Sequence, residues 1–200
     1  EILDEIESKE IEGRVKCKSS LWIPTAGIID SHGLMAKLEN ISISRNVSIA
    51  YNTILISIHK NSSNYQLSFN NEDFKISCKI VINSTGLWSD KISSMLGINQ
   101  YKIEYYKGDY YKSKTLRNLG CLIYPLPTIK SLGVHAVLNL NGEVSFGPNI
   151  YKVDKIDYKI DNRYKSEYLS IINDYLDVDE EDIYEDFSGV RPKIKFDGKF

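Results

Sequence analysis

The sequence has little cysteine and little histidine, and it lacks the short motifs that announce common chemistries. Its three cysteines (Cys17, Cys78, Cys121) are odd in number and far apart. They form no Cys-x-x-Cys pair and meet no paired histidines, which excludes a zinc knuckle or a disulfide framework and suits a reducing compartment. The three histidines (His32, His59, His135) are scattered and belong to no His-Glu-x-x-His; no Gly-x-Ser-x-Gly is present either. Metal-assisted hydrolysis and serine-triad chemistry are therefore without support, and no metal site is expected. Neither Gly-x-G-x-x-G nor a phosphate-loop motif occurs. No apolar run approaches the ~20 residues that a membrane-spanning helix needs. The net charge is −2, so there is no basic field to hold nucleic acid. There is no signal peptide and no initiator Met before Glu1, and both ends are expected to be cuts in a longer protein.

What is present is the composition of a folded chain. It has 200 residues, 42% hydrophobic and 26% charged, enough for one ordinary domain or two small ones. Tyrosine is abundant at 14 residues, by genome composition or because some of these rings line a site. The pattern predicts mixed α+β and α/β structure. Residues 1–12 carry apolar positions at helical spacing. "SLWIPTAGIID" (20–30) reads as strand, turn and strand, and a helix is expected over about 32–45. "VSIAYNT" (47–53) is expected to be a strand, followed by an antiparallel meander from 54 to 86 broken at "NSSN" and "NNED". Within it "KIVINSTG" reads as a buried parallel strand running into small residues, followed by a helix over 87–97. From about residue 101 the character turns to β, with one or two strands at 101–113, further strands to 153 and a hairpin turn at Asn141-Gly142. A helix over 161–176 and a final strand, "FSGVRPKIKF", close the chain.

Four stretches carry candidate chemistry, each beside a plainer reading. "VINSTGLWSD" (81–90) brings Ser84, Thr85 and Gly86 to a strand end at a helix start, where backbone N–H groups can meet a phosphate or a ring edge; an ordinary strand-to-helix turn looks the same. His135 alternates with Val134 and Ala136 along a strand, so it faces away from them; it is a general base if that face lines a cleft and a core histidine otherwise. In "YYKGDYY" (105–111), Lys107, Tyr110 and Tyr111 suit an anion and a flat ligand, or are a solvated lysine and core tyrosines. In "GVRP", Gly189 permits close approach and Pro192 biases Arg191 to extended backbone. That arrangement can offer a guanidinium fork to a carboxylate, or be a surface strand.

Taken in order, "WIPTAGIIDSHGLM", "VINSTGLWSDKISSMLGI", "YYKGDYYKS", "LIYPLP-x5-LGVHAVLNLNGEVSFGPN" and "FSGVRPKIKFDGKF" resemble FAD-dependent oxidoreductases of the D-amino-acid-oxidase type. Within them the match is best to the L-2-hydroxyglutarate dehydrogenase/oxidase branch. The resemblance covers nearly the whole chain. It implies part of a Rossmann-like FAD domain with a β-meander, plus an antiparallel-sheet substrate domain. The implied division is a linker or helix at 1–20, partial FAD domain at 21–100, substrate domain at 101–186 and a return strand at 187–200. The cofactor it implies is FAD, beside Thr53, Ile54, Ser84, Thr85, Gly86 and Gly189. It puts Arg191 where relatives grip a substrate carboxylate.

The expectation is an intact enzyme that oxidises an L-2-hydroxy acid, with His135 as the base, Arg191 on the carboxylate and Lys107 or Tyr110 on a second anionic group. An amino-acid or glycine oxidase of the same fold is the alternative, and a non-catalytic binding module another. The isolated piece is expected not to hold FAD. The expected partners are a small carboxylate and an electron acceptor (oxygen, quinone or protein), with no nucleic acid. The expected place is the cytoplasm, with peripheral association at a membrane's inner face allowed.

Overall fold

The computed structural model describes residues 1–71, 73–127 and 133–196, with Phe196 described by its backbone alone. The five residues between Pro127 and Gly133, and the "DGKF" end, lie outside the described residues. In chain order the elements are β1 (Ile2–Asp4), α1 (Glu5–Ile11), β2 (Ser19–Leu21), α2 (Ser31–Ser44), β3 (Leu55–Lys60), β4 (Tyr65–Phe69) and β5 (Lys75–Cys78). They continue with α3 (Ser89–Ser94), β6 (Tyr101–Arg117), β7 (His135–Leu138), β8 (Glu143–Gly147), β9 (Tyr151–Val153), α4 (Lys165–Asn173) and β10 (Ile183–Phe196). The chain folds into two compact units, one of residues 1–31 and 106–190 and the other of residues 32–105 and 191–200.

The first unit is built on a five-stranded sheet in the order β10-β6-β8-β7, with β9 also paired to β6; β8 runs antiparallel to both β6 and β7. Strand alternation divides its side chains. Tyr111, Ala136, Val144 and Phe146 point to one face and are almost completely buried, with Ala136 opposite Phe146 and Tyr111 opposite Phe146 in register. Helix α4 covers that face with Tyr168 and Ile172, four residues apart on one side of the helix. Burying Phe146 or Ile172 stabilises by roughly 1.5–3 kcal/mol each. The α4 region starts at Asp161, whose side chain accepts from the Arg163 N–H at 3.1 Å. Helix α1 starts at a capping box: Asp4 accepts from Glu7 N at 2.9 Å and Glu7 accepts from Asp4 N at 2.9 Å.

Four tyrosines serve as struts, Tyr111, Tyr168 and Tyr175 buried and Tyr151 half-buried, each with its hydroxyl satisfied. Tyr175 donates to the Val134 carbonyl at 2.8 Å, Tyr111 to Asn162 Oδ1 at 3.0 Å and Tyr151 to Asp109 Oδ2 at 2.8 Å. Tyr168 donates to the Asp109 carbonyl and accepts from Asn149 N. Burial pushes the Tyr111 phenol up to about 12 from its ordinary 10, and burial likewise raises Tyr151, Tyr168 and Tyr175. A phenol raised in the folded state ionises first in the unfolded chain. Its contribution is therefore complete below pH 10 and is lost as pH climbs toward 12. A pH titration is expected to show circular dichroism intact to pH 10, then lost together with a late tyrosinate absorbance step. Tyrosinate absorbance complete by pH 11, before any loss of dichroism, would contradict it.

In the second unit β3, β4 and β5 form the predicted antiparallel meander. Helix α2 forms within a residue of its predicted span, but it buries no residue: Leu34, Met35, Leu38 and Ile41 are all exposed. Two strands predicted within this unit do not form. Residues 47–53 make no strand, and neither do 79–85, where Ile80 and Ile82 are 77% and 83% exposed. A buried parallel strand needs a neighbour on each side and cover on both faces. Among the described residues neither segment has a strand partner, so the apolar pattern stands without its ladder. The helix expected over 87–97 is shorter, a 3-10 turn at Gly86–Trp88 and then α3. Among the described residues, no helix is long and apolar enough to cross a membrane.

Candidate active site

The side of the first unit's sheet that faces away from α4 carries His135. As its alternation predicts, it is half-buried between the nearly fully buried Val134 and Ala136. Its Nδ1 is buried. Across β7 and β8, His135 lies opposite Gly147. On its other side an isolated bridge joins Ile123 to Ala136, with Ile123 N to Ala136 O at 3.2 Å and Ala136 N to Ile123 O at 2.9 Å. That register sets Tyr124 beside His135, and the two rings meet at 4.6 Å between centroids with a 54° tilt.

Gly147 is a gap between side chains. Its φ is +148°, and a Cβ added there would lie 2.6 Å from the Asp109 carbonyl oxygen and 2.7 Å from Tyr110 Cδ1. The Tyr110 ring therefore leans over the glycine, and it stacks on Phe187 at 4.4 Å and 14°. The result is a row across the sheet: Phe187 and Tyr110, then the bare backbone of Gly147, then His135 and Tyr124. A flat or small ligand set on Gly147 would have an imidazole on one side and a phenol on the other.

Behind the row Asp109 is fully buried. Its N–H donates to Asn149 Oδ1 at 2.9 Å and its carbonyl accepts from Tyr168, so the backbone beside Gly147 is held from both directions. Its carboxylate accepts from Tyr151 and, at 3.3 Å, from Asp161 N, and lies 3.9 Å from Lys107 Nζ. Lys107 is itself only 3% exposed. Its ammonium donates to the Lys159 carbonyl and lies 3.9 Å from Asp157. The cation expected to meet a substrate's second anionic group is turned inward, committed to the chain's own acceptors. On the outer face Lys112 is similarly engaged, 3.1 Å from Glu143 and 3.4 Å from Asp186.

The remaining predicted residues fall as follows. Gly189 is on β10, with nothing within 4 Å of where its Cβ would be. Arg191, in the second unit, is exposed. Also in the second unit, Ser84, Thr85 and Gly86 form an exposed turn braced by Asn83, which accepts from the Thr85 hydroxyl at 2.8 Å and donates to the Ser89 carbonyl at 2.9 Å. Gly86 has φ +56° and open space around it. Small exposed residues with a left-handed glycine fit the edge of a cofactor ring or phosphate. The Ile54 N–H and carbonyl are both engaged by Asn70, at 3.0 and 2.9 Å, so only its exposed side chain is offered to a ligand. The Thr53 hydroxyl donates to the Tyr51 carbonyl at 3.0 Å.

Tyr124, Gly147 and Phe187 were not among the predicted site residues. "IYPLP" and "FGPN" carry prolines that read as loop, and nothing local says which strand they flank. The alternation around His135 gave its face but not its neighbours.

A family model described as FAD dependent oxidoreductase (DAO) matches residues 1–200. Among curated proteins the chain is similar to the mitochondrial L-2-hydroxyglutarate dehydrogenase of Arabidopsis thaliana, 25% identical over 240 residues, which covers 96% of this chain and 50% of that protein. It is also similar to the L-2-hydroxyglutarate dehydrogenase of Escherichia coli (strain K12), 26% identical over 154 residues, covering 74% of this chain and 36% of that protein. Among solved structures, the dithionite-reduced L-alpha-glycerophosphate oxidase from Mycoplasma pneumoniae with FAD bound superposes with a TM-score of 0.82 at 22% identity, over 100% of this chain and 54% of that one. The chain thus spans about half the length of the plant relative and of the solved oxidase.

Proposed function

Because the chain belongs to the DAO family of FAD dependent oxidoreductases, we propose that the intact protein oxidises an L-2-hydroxy acid, in the first instance L-2-hydroxyglutarate, to the 2-oxo acid. The observation that carries this reading is the half-buried imidazole of His135 beside the bare backbone of Gly147, between aromatic walls. The plant and bacterial relatives support the substrate by their names.

In this reading FAD supplies the acceptor for the hydride that leaves the substrate Cα. His135 takes the hydroxyl proton, and the C–O bond becomes the carbonyl. Tyr110 forms the opposite wall. Arg191 is assigned to the substrate carboxylate, which its planar fork suits, and Gly189 to the cofactor. Ser84, Thr85 and Gly86 lie along the cofactor, with the side chains of Thr53 and Ile54 as further contacts. Lys107 takes no part beyond holding the sheet. We place the protein in the cytoplasm, which suits three free cysteines.

The test uses the full-length enzyme under anaerobic conditions. L-2-hydroxyglutarate is expected to bleach the flavin absorbance in stopped flow, while glycine and D-amino acids leave it unchanged. Bleaching by the amino acids alone would replace this reading with an amine oxidase. Re-oxidation by oxygen or by a soluble quinone then assigns the electron acceptor.

A further inference from the structure

We propose that Tyr124 is a positioning residue for His135, holding the imidazole at one angle over Gly147 and shielding one of its faces from water; this rests on the reading of His135 as the base. Tyr124 is 55% exposed, so its place against the imidazole does not come from burial in a core. It comes from its two chain neighbours. Ile123 is fixed to Ala136 by a pair of backbone hydrogen bonds, which puts the next residue out from the bridge, Tyr124, opposite His135. On the other side Pro125 packs on Gly133, which has φ +82° and leaves only 2.6 Å between its absent Cβ and Pro125 Cγ. A proline also fixes its own φ and restricts the residue before it, which is Tyr124. The ring is thus delivered from a constrained backbone on to an imidazole at 4.6 Å.

The rest of the row makes that contact matter. His135 faces Gly147 on its inner side, and a glycine offers no side chain to stop the imidazole rotating. Tyr110 leans over the same glycine from the far side and is already stacked on Phe187. The side chain that meets the outer side of the imidazole across the bridge is Tyr124. A base must lie within hydrogen-bond reach of the proton it takes, and small misplacement is costly. A ring that sets the imidazole angle acts on the rate without touching substrate.

The experiment has two arms on the full-length protein, with thermal midpoints checked to show that each variant folds. The first reads the histidine ring resonances by NMR, with His135 assigned as the signals lost in His135→Gln. Tyr124→Ala is expected to shift and broaden the His135 signals through loss of the neighbouring ring current, and Tyr124→Phe to leave them near wild type. The second reads flavin reduction by L-2-hydroxyglutarate. Tyr124→Ala is expected to lower the limiting rate by roughly 10- to 100-fold with little change in substrate affinity, and Tyr124→Phe to restore it. Unmoved His135 resonances in Tyr124→Ala would overturn the proposal. So would a wild-type rate in that variant when His135→Gln abolishes turnover. If His135→Gln itself turns over normally, the base reading fails, and the NMR arm still decides whether Tyr124 sets the imidazole.

Discussion

Full-length His135→Gln is expected to reduce its flavin with L-2-hydroxyglutarate about 10²- to 10⁴-fold more slowly than wild type, the range that a positioned general base contributes. The loss belongs in the limiting rate, because the imidazole acts on the proton that leaves during oxidation and not on the carboxylate that anchors the substrate. Substrate affinity should change little. Folding should survive the change. His135 alternates with Val134 and Ala136, and those two are the ones buried in the core, at 2% and 0% exposure. Glutamine can keep a polar group on the outer face without disturbing them. Single-turnover stopped flow separates these effects. A limiting rate within twofold of wild type would remove His135 from the chemistry, and a lowered thermal midpoint would move its role to folding.

The parts of this chain legible in its sequence are those fixed by neighbours close in the sequence. The meander, α2 and the face of His135 follow from local periodicity and turn residues. The alternation of Val134, His135 and Ala136 names the outward residue whatever lies across from it. Long-range register was not legible. Nothing near Tyr124 says that it faces His135, since that depends on the Ile123–Ala136 bridge and on the Gly133–Pro125 contact. Lys107 shows the same limit from the other side. A lysine before a glycine in a tyrosine-rich strand looks available to an anion. Its actual partners, Lys159, Asp157 and the Asp109 carboxylate, include two that arrive about fifty residues later. The misread strands at 47–53 and 79–85 have a third cause. An apolar run records that a segment is meant to be buried, but a strand exists only when another strand supplies its hydrogen bonds.

The second large effect is expected at Asp109. Asp109→Ala should destabilise the first unit by about 3–5 kcal/mol, the cost of breaking a buried ion pair from one side. The carboxylate is fully buried, and Lys107, 3.9 Å away, is 3% exposed. Without it the ammonium keeps the Lys159 carbonyl and a half-exposed Asp157, but no buried counter-charge. Tyr151 and the Asp161 N–H lose their shared acceptor as well. Replacing both members, as Lys107→Met with Asp109→Leu, should recover much of the loss, because two apolar groups need no counter-charge. Denaturant melts of the three proteins measure this, and a single variant within 1 kcal/mol of wild type would show that the pair is not closed off from water. The same melt connects stability to the site. The Asp109 backbone, tied to Asn149 and Tyr168, forms the wall that a Cβ on Gly147 would strike at 2.6 Å. A sheet loosened at Asp109 should widen the row at Gly147, so Asp109→Ala should also slow flavin reduction well below its unfolding temperature. The double variant should regain stability before it regains rate, since stability follows charge balance and the rate follows the position of Gly147 relative to His135.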